Sequence, residues 1–212
     1  MKYKKSIVTS LFLAISMMIG TTVYATTVYA TNLGTLSYWY SDDTRIARWS
    51  SPPTTWSLVS DGFDSSDFLD YVNHARGEWR DAGISISSTT DYYESNFTIR
   101  GGSYDIMHNY EPSLTTTNTG TSVLSATEEG TWTYSSKNKT GYTFNNVRCY
   151  IIHKPGGTSP TVAKYEKTVT HEMGHGLGWF GHSTSSSDVM YSSSSSVNTL
   201  TSRDKNHLTQ IY

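Results

Sequence analysis

The chain has 212 residues, with 16 Lys+Arg against 18 Asp+Glu and a formal net charge of -2. With no basic blocks, that balance excludes an electrostatic nucleic-acid or anionic-membrane binder, and a single cysteine excludes an internal disulfide framework. The 32 Ser and 31 Thr beside only 16% charged residues suit an exported, polar-surfaced protein better than a cytosolic one.

At the N-terminus, Lys2, Lys4 and Lys5 precede an apolar run over residues 7–20 and small-residue sites at Val23-Tyr24-Ala25 and Val28-Tyr29-Ala30. This is the layout of a secretory signal peptide. The run falls short of the roughly 20 residues that a spanning helix needs, and polar sequence follows directly. Residues 21–25 recur letter for letter as 26–30, so cleavage is expected after Ala30, with Ala25 as the alternative. The expected product is a secreted single domain over 31–212, monomeric and without a stable membrane anchor.

Aromatic alternation over 36–40 predicts a first strand, followed by a loop through Pro52 and Pro53. Phe68, Val72, Ala75, Trp79 and Ala82 then advance by four, three, four and three, the stripe of a helix over 65–82 with Ser65 or Ser66 placed to cap it and Gly83 to end it. Ile84 and Ile86, then Phe97 and Ile99, mark two short strands. The polar stretch 113–146 holds strand-like pieces around Val123 and Trp132, and 147–153 reads as a better-buried strand. A second helix is expected from Pro160 after Ser159, and a short last helix over 201–212 after a Ser-rich loop. Strands with two substantial helices imply an α/β or α+β sandwich.

Within the second helix, His171-Glu172-Met173-Gly174-His175 fits HExxH. Composition alone would supply that pattern in about one chain in 130 of this make-up. At about 100° per residue the two imidazoles lie about 40° apart on one face with Glu172 close by, whereas Val162, Tyr165, Val169, Met173 and Leu177 form a different, core-facing stripe. Two neutral imidazoles one turn apart suit Zn²⁺, and a neighbouring carboxylate can take a proton from water activated there. Gly178 can end the helix in a left-handed turn that redirects the chain and brings His182 to the metal. Val189-Met190-Tyr191 follows.

The segment HEMGHGLGWFGHS with its later DVMY resembles the metzincin metallopeptidases, and most closely their matrixin-like branch, whose motif is HExxHxxGxxH followed by a methionine turn. The resemblance implies a mixed, mostly parallel twisted sheet with two long helices and a C-terminal helix. It also implies that His171, His175 and His182 bind one catalytic zinc, that Glu172 is the general base, and that Met190 forms an apolar floor beneath the site. It extends over 36–212 but is specific only over 171–191. The implied activity is hydrolysis of polypeptides by a secreted zinc endopeptidase, the substrate pairing with an edge strand between residues 121 and 133.

Four departures from the pattern bear on the site. The third histidine follows the second by seven residues where the family has six, and Gly181 holds the expected place; a one-residue insertion absorbed by the glycines accounts for this, with Asp188 the rival ligand. Residues 192–196 are all serine where matrixins carry a proline, so the wall of the specificity pocket does not carry over, and Tyr191 is not assigned to the metal. Cys149 is expected as a buried small side chain and not as a cysteine switch. A thermolysin-like site needs a downstream glutamate, and none follows Glu172.

His74, His108, His153 and His207 have no short ligand spacing, and Trp79 and Trp179 are expected to pack. Asp61, Asp64, Asp67 and Asp70 recur every three residues near a helix start, which the helix dipole explains; calcium has no further support, the EF-hand order being absent. The competing functions are a secreted binding or adhesion protein with a structural zinc, closed by Asp188 as a fourth ligand, and a zinc amidase acting on cell-wall peptides.

Overall fold

The computed structural model describes residues 45–134, 137–154, 161–193, 195–209 and 211–212. The leader over 1–30 and the strand expected over 36–40 lie outside these. Six strands form one sheet: β1 (Arg45–Arg48), β2 (Thr54–Val59), β3 (Ser87–Ser88), β4 (Phe97–Ser103), β5 (Gly120–Tyr134) and β6 (Lys137–His153). The helices are α1 (Ser65–Asp81), α2 (Tyr104–Tyr110), α3 (Val162–Gly176) and α4 (Ser202–Thr209).

The long strand β6 organises the sheet. Its first half pairs in parallel with β1, as in Arg45 with Thr140, and its second half in parallel with β4, as in Ile99 with Cys149. Strands β2 and β3 extend the parallel side beyond β4. Along its other side β6 pairs antiparallel with β5, from Gly120 with Ile151 to Tyr134 with Lys137. Among the described residues β5 pairs with β6 alone, so it is an edge strand. The result is the mixed, mostly parallel sheet with two long helices and a C-terminal helix expected of the fold class.

Alternation decides which face is which. Phe97, Ile99, Val147, Cys149 and Ile151 point to the main core, where α1 contributes Phe68, Val72, Ala75 and Trp79 and α3 contributes Tyr165, Val169, Met173 and Leu177. Tyr150 and Ile152 point the other way, into a smaller core with Met107 and Leu114 under α2. The Trp79 indole donates to the Thr170 carbonyl at 3.0 Å, fixing α1 against α3. Trp79 is wholly buried, so truncating it to Ala would cost about 3–5 kcal/mol. Both expected helical stripes therefore form the core, except that Ala82 is only partly buried and Val162 is exposed at the start of α3.

Several local expectations are corrected. Asp64, not Ser65 or Ser66, caps α1, its carboxylate accepting from the Ser66 and Asp67 N–H groups, because the helix begins at Ser65 itself. The prolines lead into β2, whose Thr- and Ser-rich sequence conceals its alternation. Ile84 and Ile86 are buried, but the strand beside them is only Ser87–Ser88. The helix α2 was not expected, and the two strand-like pieces around Val123 and Trp132 form one strand interrupted by register shifts at Ser125/Ala126 and Glu128/Gly130. The expected start of the second helix at Ser159 and Pro160 lies outside the described residues; α3 follows Thr161, which makes no side-chain cap bond. The last helix is shorter than expected.

Candidate metal centre

The helix α3 runs through His171, Glu172 and His175 and ends at Gly176. Its Tyr165, Val169 and Met173 stripe is sunk in the core, which leaves the imidazole face turned toward the neighbouring loop. Past Leu177 the chain reverses at Gly178, with φ 108, and the Trp179 N–H donates to the Gly174 carbonyl at 2.9 Å. Gly181, with φ 76, makes a second left-handed step before His182. The following loop closes on itself through the Ser183 N–H to the Met190 carbonyl at 2.8 Å. Met190 is fully buried against α3: a Cβ at Gly174 would lie 2.7 Å from its sulfur.

These turns bring three imidazoles together. The His171 and His175 ring centroids are 4.7 Å apart, those of His171 and His182 5.0 Å, and those of His175 and His182 5.2 Å. One nitrogen from each ring lies within 4.8 Å of the other two. Among the described residues this is the one group of three or more His, Cys, Asp or Glu side chains arranged to hold a metal ion. The extra residue between His175 and His182 is thus accommodated with the third ring in the cluster.

The hydrogen bonds behind the rings suit ligation. His171 Nδ1 lies 2.9 Å from the Val189 carbonyl oxygen and His175 Nδ1 2.7 Å from that of Trp179. A ring nitrogen on a carbonyl carries the hydrogen, so each Nε2 is left with its lone pair. Those two Nε2 atoms are 3.1 Å apart. Facing lone pairs repel unless a cation lies between them, and two nitrogens bound to a tetrahedral zinc at 2.0–2.1 Å stand about 3.3 Å apart. The donor set fits zinc.

Burial keeps the rings neutral, the form that ligates. It holds His171 far below the usual imidazole value, helped by the Lys167 charge and by the crowding of His175 and His182, which disfavours more than one proton in the cluster. It holds His175 at about 4 and His182 at about 3, the latter with help from His175 and Lys167. Burial works in the opposite sense on Glu172, raising its carboxyl to about 7 against the lowering effects of the Ser122 hydrogen bond and the Lys167 charge.

Asp188, the rival ligand, is engaged elsewhere. It accepts from the Ser183 and Thr201 hydroxyls and pairs with Arg203 at 3.4 Å. The surrounding loop depends on two residues that the motif does not reveal. Asp204 of α4 accepts from the Val189 N–H at 3.0 Å and the Met190 N–H at 3.3 Å. Lys167, one turn before His171, donates to the Tyr191 and Ser193 carbonyls at 2.7 and 3.0 Å; burial pushes its amine down to about 8, against the raising effect of Glu172 and Asp204. Each partner is distant in sequence, so no local spacing could have pointed to these contacts.

The remaining candidates serve the fold. His207 is buried beside the Trp179 ring at 4.2 Å, His108 lies 3.0 Å from the Leu114 carbonyl, His153 sits edge-on to Phe63, and His74 contacts the Asn198 carbonyl. Trp79 and Trp179 are wholly buried, and Cys149 is a buried thiol. Asp61, Asp67 and Asp70 are exposed around the Asp64 cap.

Three imidazoles delivered by a helix and its returning loop, with a buried methionine packed against that helix, make the donor set of a zinc site. The matrixin family model matches residues 49–212, and the chain belongs to the matrixin family of zinc metallopeptidases. No individual curated protein matches it.

Proposed function

We propose that this chain is a secreted zinc endopeptidase in which His171, His175 and His182 hold one zinc ion and Glu172 is the general base. Residues 31–212 form its catalytic domain once the leader over 1–30 has been removed. The observation that carries the reading is the convergence of the three rings, two with Nδ1 committed to carbonyls, beside a buried carboxyl. When bound, zinc supplies a Lewis acid that lowers the pKa of water and draws electron density from a carbonyl. Glu172 takes the proton from the attacking water and passes it to the leaving amine. Its burial suits both tasks, because a carboxyl raised toward neutrality accepts and returns a proton readily. Lys167 and Asp204 keep the loop after His182 in place meanwhile.

An extended polypeptide is the substrate that β5 is suited to receive, since its outer edge presents unpaired backbone groups among the described residues. No helix among those residues is long and apolar enough to cross a membrane. A purely structural zinc would call for a fourth protein ligand, and Asp188 is held by Ser183, Thr201 and Arg203.

The deciding comparison is Glu172→Gln. The expected result is unchanged zinc content with cleavage of unfolded polypeptide reduced by about 10²–10⁴-fold, the contribution of a general base. Unchanged turnover would remove Glu172 from its role. Parallel digestion of denatured protein and purified cell wall separates an endopeptidase from an amidase.

A further inference from the structure

Along β5 the positions that face α3 and the main core are 120, 122 and 124, and the first two carry small residues, Gly120 and Ser122. The Ser122 hydroxyl oxygen lies 2.7 Å from Glu172 Oε2 and 2.8 Å from the Glu172 main-chain oxygen. A Cβ at Gly120 would stand 2.8 Å from Glu172 Cγ and 3.0 Å from Oε1. One carboxyl oxygen thus rests on a hydroxyl while the other lies over bare backbone. Buried Cys149 of β6 closes the seat from below, its sulfur 3.4 Å from both the Ser122 oxygen and the Glu172 main-chain oxygen.

A hydroxyl offers one hydrogen and two lone pairs. While Glu172 is a carboxylate, Ser122 donates to Oε2. That bond fixes the carboxyl against β5. A general base works only when its carboxyl is held within reach of the proton it takes, so a partner that pins one oxygen sets where the other points. An apolar side chain at 122 would leave a buried carboxylate without that bond.

We propose that Ser122 is the positioning residue of Glu172, seating its carboxyl on β5 through the hydroxyl, with Gly120 keeping the seat open. The strand offered to the substrate backbone would then also hold the base. This inference rests on the peptidase reading.

The test is steady-state cleavage of unfolded, fluorophore-quenched casein by the zinc-loaded protein and its Ser122→Ala, Ser122→Thr, Gly120→Ala and Glu172→Gln variants, with zinc content and melting temperature measured for each. Ser122→Ala is expected to lower kcat about tenfold, with KM changed by less than about twofold. Ser122→Thr, which keeps the hydroxyl, recovers most of the loss, and Gly120→Ala lowers kcat by displacing the carboxyl. Zinc content of Ser122→Ala stays at the wild-type value, and its melting temperature falls by about 3–9 °C, which leaves it folded at the assay temperature. A Ser122→Ala enzyme with wild-type kcat overturns the proposal, as does equal loss in Ser122→Thr, or a loss explained by departed zinc. If wild type and Glu172→Gln behave as expected while Ser122→Ala is unimpaired, only this inference fails. If wild type does not cleave, or Glu172→Gln cleaves equally well, both readings fall together.

Discussion

Gly178 starts the path to His182, and its replacement by alanine tests that path directly. Its φ of 108 lies where a side chain is strained, and a Cβ there would lie 2.4 Å from the Ala47 carbonyl oxygen of β1 and 3.2 Å from Ile211 Cδ1. Gly181, with φ 76, provides an internal comparison in the left-handed region. Gly181→Ala is expected to cost about 1–2 kcal/mol, the penalty of left-handed backbone for an L-residue. Gly178→Ala carries that penalty and must also displace a strand carbonyl, which has no rotamer to yield; overpacking of this kind adds about 1–3 kcal/mol, for about 2–5 kcal/mol in all. At about 3 °C per kcal/mol for a chain of this size, the melting temperature falls by about 6–15 °C for Gly178→Ala and about 3–6 °C for Gly181→Ala. Calorimetry on the zinc-loaded proteins measures both. A loss at 178 no greater than that at 181 would refute the reasoning, since the contact with β1 is what separates them.

His182→Ala is expected to lower zinc affinity by more than about a hundredfold while the fold persists, read by competitive chelator titration; retained affinity would return Asp188 to consideration as the ligand. Acid stability offers a test away from the metal. Burial holds His207 at about 3, below the ordinary imidazole value, so the unfolded chain binds more protons than the folded one below that ordinary value. The stability from keeping this ring neutral is present above about pH 6.5 and is lost as pH falls from there toward 3, at up to about 1.4 kcal/mol per pH unit. Denaturant titrations of His207→Leu at saturating zinc should show a shallower decline between pH 6 and 4; a slope identical to wild type would rule the ring out as a source of acid sensitivity.

The two long helices and the metal motif were legible because their information is local. A stripe such as Phe68, Val72, Ala75 and Trp79 states its own periodicity, and HExxH places two rings one turn apart whatever surrounds the helix. β2 was missed because Thr54-Thr55-Trp56-Ser57-Leu58-Val59 hides alternation behind small polar residues that the parallel sheet tolerates. Asp64 outcompeted Ser65 and Ser66 for the cap by one or two positions, within the range where composition cannot choose. Ser122, Lys167 and Asp204 were invisible for a different reason. Each acts on a residue brought near by strand pairing or loop closure, and nothing around Ser122 in the sequence announces that Glu172 will pack against it.

The ends of the described chain meet beside the far end of α3. Arg48 donates to the Ile211 carbonyl across 163 residues of sequence, and the Tyr212 hydroxyl donates to the Leu177 carbonyl at 2.7 Å. Together with the parallel ladder between β1 and β6, these contacts join residues far apart in sequence, so this corner closes only after a long loop has been drawn shut, and the fold forms slowly for its size.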